Sequence, residues 1–151
     1  MGSRAHSGKV RNRKCFYLDS NVVLDFLLDW LPYAEAATKL LAAAEQGKVT
    51  LLISSLTYTI AHYVVSKAIG KNAALQALIS LHSQVGTAAV DDTIIEQALQ
   101  AGWPDFEDAV QLFAALEAGA EAVITRDPKG LPTQLIAVLD PLSALEVIAS
   151  Q

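Results

Sequence analysis

Acidic side chains stand where apolar runs end. Asp19 closes CFYLD, Asp127 closes AVITRD, and Asp105 and Asp108 open the helical stretch DFEDAVQLFAALEAG that precedes the second of these runs. Carboxylates brought to one point repel each other, so such a cluster needs cations or raised pKa values. Magnesium and manganese are hard ions that take oxygen ligands and keep several waters. Held by carboxylates, they activate water and stabilise a leaving oxygen in phosphodiester hydrolysis. Each acid also has a plainer explanation. Asp105 and Asp108 follow Pro104, in a first turn where the helix dipole favours acids, and Asp19 could cap the next helix. Three acids at one sheet edge weigh against three separate coincidences.

The elements that must position these acids are legible in the periodicity. CFYLD reads as a buried strand and NVVLDFLLDW as a helix that Pro32 breaks. YAEAATKLLAAAEQGK reads as a second helix, closed by Gly47. VTLLIS is a second strand, and Ser54 or Ser55 can cap the helix that runs to Gly70. NAALQALISLHSQ is a further helix and VGTAAV a short third strand. Asp91 or Asp92 can cap TIIEQALQAG, and Pro104 suits the first turn of the next helix. AVITRD and LIAVLD are the fourth and fifth strands, and PLSALEVIAS closes the chain. Strands that are apolar on both faces and alternate with helices predict a parallel sheet covered on both sides, in an α/β fold. Ligands of such sheets bind beyond the carboxyl ends of the strands. Asp108 heads a row continued by Leu112 and Ala115, which directs its carboxylate toward those strand ends.

A chain of 151 residues, 52% hydrophobic, fits one domain with a substantial core. Five of its eleven Lys and Arg stand in residues 1–14, which hold no acid, leaving six bases against sixteen acids beyond them. An acidic body is a poor general nucleic-acid glue and suits an enzyme that reaches phosphates through bound cations. Residues 1–14 read as a disordered or partly vector-derived basic arm, and 15–151 as the domain. The single Cys15 allows no internal disulfide, which fits a reducing, cytoplasmic location. Charges interrupt every apolar run before 18 residues, and Asp19, Asp25 and Asp29 spoil the run a secretory signal needs.

Other residues carry weaker signals. Arg126 can bind a phosphate or pair with a site acid. Asp25 and Asp29 read as edge or exposed positions, with Asp25 a weak outer-site candidate. His62 is a conceivable ligand, though a half-buried structural histidine is the commoner case. Tyr17, Trp30, Tyr33, Trp103 and Phe106 read as core or interface. No G-x-S-x-G, G-x-x-x-x-G-K-[ST] or G-x-G-x-x-G motif is present.

LDSNVVLD, DFEDAVQLFAALEAGAEAVITRD and the terminal strand and helix resemble the PIN domain family, in particular its bacterial branch with a D-F-E-D-A motif. The resemblance runs from about Phe16 to about Ile148. It implies a three-layer α/β/α sandwich with a mostly parallel five-stranded sheet. It also implies endoribonuclease activity dependent on Mg2+ or Mn2+, and often the toxin half of a toxin–antitoxin pair. Asp19, Asp108 and Asp127 match the family's metal-binding acids, and Asn21 and Thr125 match polar positions beside them. Many members add a glutamate on the helix after the second strand, whereas no acid occurs here from Thr50 to Val90. Asp105, one turn from Asp108, can compensate as a further ligand.

Three rival or additional expectations follow. A phosphatase with Asp19 as nucleophile would want an acid two residues on, where Asn21 stands. A PIN-like module with degraded chemistry, acting by binding nucleic acid or protein, is the alternative to an active enzyme. The helices between Tyr33 and Ser83 are apolar around much of their circumference, which predicts a homodimer built on them.

Overall fold

The computed structural model describes residues 13–131 and 134–151. Its centre is a five-stranded, all-parallel sheet of order β3-β2-β1-β4-β5, with β1 at Lys14–Leu18, β2 at Val49–Ser54, β3 at Gly86–Ala88, β4 at Ala122–Ile124 and β5 at Ala137–Leu139. The helices between them are α1 (Ser20–Leu27), α2 (Ala34–Glu45), α3 (Ser55–Ile69), α4 (Lys71–His82), α5 (Asp92–Ala101), α6 (Phe106–Glu117) and α7 (Pro141–Ala149). The expected three-layer α/β/α sandwich is therefore the fold of this chain.

Period-two alternation in the central strands divides the core into two. Phe16 and Leu18 of β1, with Ala122 and Ile124 of β4, face the layer that includes Val22 and Val23 of α1, Leu40 and Leu41 of α2 and Ile148 of α7. Tyr17 and Val123, one residue out of phase, face α5 and α6 through Ile94, Ala98, Val110 and Leu112. Because β1 is covered on both faces, its Phe16, Tyr17 and Leu18 are all buried.

Helix ends follow local chemistry. Gly47 and Gly102 end α2 and α5 with positive φ, +78° and +66°, a conformation that costs glycine little. Ser54 and Asp91 are the side chains that cap α3 and α5, each accepting from a backbone N–H in the first turn. One boundary differs from expectation. α6 begins at Phe106, so Pro104 lies outside it and Asp105 is the cap. Asp105 can accept from the N–H of Asp108, whereas proline would only have fitted the first turn passively. Most of the basic arm lies outside the described residues. Lys14, assigned to it by charge, is the first residue of β1, paired in register with Val49 and joined to Glu121 at 3.5 Å.

Chain order reverses at β1. The sequence runs outward to β2 and β3, then returns to place β4 on the other side of β1 and β5 beyond it. The carboxyl ends of β1 and β4 therefore flank the topological switch point, where open α/β sheets bind their ligands.

Candidate active site

Asp19 follows β1 directly, and its backbone N–H donates to the Ile124 carbonyl at 2.8 Å. It occupies the cap position of α1 but makes no side-chain cap hydrogen bond. Its carboxylate turns across the switch point instead. Oδ2 accepts from Thr125 Oγ1 at 2.8 Å, and Oδ1 accepts from Gln111 Nε2 at 3.0 Å and from Ser20 Oγ at 3.4 Å. The capping explanation for Asp19 thus fails on geometry.

Thr125 is buried and serves three neighbours through one oxygen. It donates to Asp19 and accepts from Asn21 Nδ2 and from the Asp127 N–H, both at 3.3 Å. Asn21 completes the link by accepting the Arg126 N–H on Oδ1 at 3.3 Å. A backbone N–H can only donate, so the orientation of the Asn21 amide is determined. The polar residues Asn21 and Thr125 accordingly stand beside Asp19 and tie α1 to the segment after β4.

Gln111 is a site residue that the sequence reading missed. It is buried on the inner face of α6 and joins Tyr17 to Asp19. A carboxylate can only accept, so the Gln111 NH2 faces Asp19 and its Oε1 accepts from the Tyr17 hydroxyl at 3.0 Å. Burial, and then the neighbouring Asp19, push the Tyr17 pKa well above the usual phenol range, so the hydroxyl remains a donor. The readable signal was an amide in an otherwise apolar helix row, three residues after Asp108. Replacing it tests the link. Gln111→Leu leaves the buried Tyr17 hydroxyl without this acceptor and should cost about 1–2 kcal/mol, measured by urea unfolding. An unchanged midpoint would show that the amide contributes nothing at this position.

Asp108 lies in the first turn of α6. Its pKa is raised to about 6, first by burial and then by Asp105, Asp19, Glu107 and Asp127. Asp105, Asp19, Glu107 and Asp127 thus lie near enough to act electrostatically on Asp108. Asp105 is exposed and spends Oδ1 on capping, 3.1 Å from the Asp108 nitrogen. Asp105 and Asp108, with Trp103, Pro104 and Gly130, line a cavity of about 250 Å3. Asp127 is exposed and leads into a short 3-10 turn, Pro128–Gly130. Glu107, not singled out from the sequence, also belongs to this acidic end. Its Oε2 lies 3.4 Å from Ser20 Oγ and shares that one hydroxyl proton with Asp19, and its pKa is raised by burial and then by Asp19 and Asp105. Every donor in the set is oxygen, which fits a hard divalent cation in kind. Among the described residues, no three His, Cys, Asp or Glu side chains stand close enough together to enclose a metal ion as placed.

Two expectations require revision or refinement. Asp25 is neither an edge nor an exposed residue. It is 2% exposed, with both oxygens bound by Arg126 at 2.8 and 3.0 Å. Arg126 thus pairs with an acid of α1 beside the site, and its guanidinium packs over the rings of Tyr33 and Trp30, both of which are exposed. His62 is half-buried on α3 with Nδ1 3.4 Å from Ser66 Oγ.

A model of the PIN domain family matches residues 16–129. No curated protein sequence matches the chain. Several solved structures share its fold. A toxin–antitoxin complex from Klebsiella pneumoniae is 22% identical with a TM-score of 0.62, covering 83% of this chain and 96% of that one. The DNA-bound VapBC of Salmonella typhimurium is 16% identical with a TM-score of 0.64, covering 85% and 98%. VapC20 of Mycobacterium tuberculosis, a sarcin–ricin-loop-cleaving toxin, is 17% identical with a TM-score of 0.57, covering 72% and 86%. At these identities the likeness is one of fold. The family model spans β1 to the segment after β4 and includes Asp19, Asp105, Asp108 and Asp127, and the chain belongs to the PIN domain family.

Proposed function

We propose that this protein is a divalent-metal-dependent endoribonuclease that hydrolyses phosphodiester bonds of single-stranded RNA, acting in the cytoplasm as the toxin of a toxin–antitoxin pair. The observation that carries this reading is the Asp108 carboxyl. Burial and the acids of β1, α6 and the β4 end raise its pKa to about 6, and among the described residues no Lys or Arg pairs with it. Asp19, Asp108 and Asp127 would hold Mg2+ or Mn2+, with Asp105 as a further ligand. When bound, the cation supplies activation of water and charge neutralisation at the scissile phosphate. Thr125 and Gln111 hold the Asp19 carboxylate in place, and Asn21 fixes the approach of the Thr125–Asp127 segment. Similarity to VapC toxins supports RNA as the substrate and an antitoxin as the partner. A cavity of about 440 Å3 between the α1–α2 turn and α7, lined by Pro32, Tyr33, Ala36, Arg126 and Leu142, would accept part of that antitoxin.

The test is a Mn2+ titration by calorimetry, followed by cleavage of unstructured RNA and of DNA of the same sequence. Saturable binding and manganese-dependent cleavage of the RNA are the expected results. A binding module with degraded chemistry is the second reading. It is favoured by the acid-free stretch from Thr50 to Val90 and by the lack of a ready three-ligand cluster among the described residues. It predicts no heat and no cleavage.

The proposed assembly is a twofold homodimer built on α3 and α4. Tyr63, Ile69, Leu75 and Ile79 on these helices are at least half exposed, apolar surface that a twofold partner would cover. Light scattering at micromolar concentration should give twice the monomer mass of 16.1 kDa. A monomer mass there would remove the dimer and leave the metal site untouched.

A further inference from the structure

α1 buries an acid on the side where it packs. Asp25 is 2% exposed, and Arg126 Nη2 and Nε donate to its two oxygens at 2.8 and 3.0 Å. Arg126 stands between Thr125, which donates to Asp19, and Asp127. Its backbone N–H donates to Asn21, one turn before Asp25 on the same helix. Its guanidinium carbon lies 4.1 Å from the centre of the Tyr33 ring and 5.8 Å from that of Trp30. Backbone and side chain of this one residue are therefore both fastened to α1 and the turn that follows it.

We propose that Asp25 and Arg126 are positioning residues, whose ion pair sets the Thr125–Asp127 segment against Asp19. Its functional consequence rests on the metal-site reading above. A bidentate guanidinium–carboxylate pair fixes orientation as well as distance. Stacking on Tyr33 restricts the remaining rotation of the guanidinium. Asp127 itself is exposed, so packing around its own side chain cannot hold it. A buried pair is a weak source of stability compared with apolar packing of similar volume. Geometry, which apolar packing would not supply, is the better account of an acid at this position.

The test separates geometry from stability. Arg126→Ala would strand a buried carboxylate and risks unfolding the domain, so the informative variant replaces both partners, Asp25→Leu with Arg126→Met. It should melt close to wild type. Its Mn2+ affinity should fall about tenfold, as when groups that orient metal ligands are removed. Its kcat should fall more than its KM rises, and the amide hydrogens of Arg126 and Asp127 should exchange faster by NMR. Arg126→Lys, which keeps the charge without the fork, should lie between the two. A folded double variant with wild-type Mn2+ affinity and amide protection would reduce the pair to scaffold and overturn the proposal. If wild type binds no Mn2+, the metal reading fails, and amide exchange still decides whether the pair holds the segment. Should the double variant not fold, Arg126→Lys decides by the same exchange measurement, with unchanged protection counting against positioning.

Discussion

Asp108→Asn should abolish manganese-dependent RNA cleavage while making the metal-free domain more stable at about pH 7.5. Asn keeps the shape of the side chain but loses the charge by which a hard cation is held. The expected fall in kcat is on the order of a hundredfold or more. The stability gain follows from linkage. The Asp108 pKa in the folded chain, about 6, lies above the ordinary 3.8. Folding therefore favours the protonated form. The contribution of this group is fully present below the unfolded pKa and is lost as pH rises through about 6, leaving a net cost at neutral pH. Two pKa units correspond to about 3 kcal/mol at most. Asp108 is only partly buried, and solvent screening reduces this to about 1 kcal/mol. That amounts to about 2–4 °C in Tm for a domain of this size. Melting curves in chelator should show the full gain at about pH 7.5, about half of it at about pH 5, where the unfolded carboxyl is ionised and the folded one mostly protonated, and little of it only below about pH 4. A variant that still cleaves RNA, in a preparation free of wild type, would remove Asp108 from the site. A variant that melts lower at neutral pH would remove the electrostatic account.

Much of this arrangement was legible because it is local. The alternation of apolar runs with helical rows gives the five strands and seven helices of the described residues. Gly47 and Gly102 mark helix ends because their positive φ is a property of the residue and its immediate neighbours. The row of Asp108, Leu112 and Ala115 follows from helical spacing, and Leu112 and Ala115 are buried as that spacing requires. What was illegible depends on partners distant in sequence. Asp25 is an acid in an amphipathic helix, and the default for such a residue is solvent. Only the approach of Arg126, 101 residues later, makes its burial possible. Gln111 has the same history, because its two partners, Tyr17 and Asp19, come from the other end of the chain. Asp105 shows the opposite error. A cap and a first-turn acid differ by one residue, and Pro104 favoured the earlier start.

Burial of the Asp25 charge leads to the largest expected loss of stability. Arg126→Ala should destabilise the domain by about 2–3 kcal/mol, at or just below the low end of what breaking a fully buried pair costs. The penalty arises on the remaining partner. The Asp25 side chain is 3% exposed, so without the guanidinium both oxygens lose their donors with little water to replace them. The Arg126 side chain is 33% exposed, and its removal opens a path for water, which keeps the cost below the upper figures. For a domain of this length the loss corresponds to about 4–12 °C in Tm. The exposed pair between Glu35 and Lys39 on α2, at 3.5 Å, supplies the contrast. Lys39→Ala should move the midpoint by less than about 0.5 kcal/mol, because exposed i,i+4 pairs are screened and entropically costly to hold. Urea unfolding of the two variants side by side is the measurement. Equal losses would mean that the Asp25 charge is hydrated despite its burial, and the account of α1 as a helix held to the β4 end by a dry ion pair would fail with it.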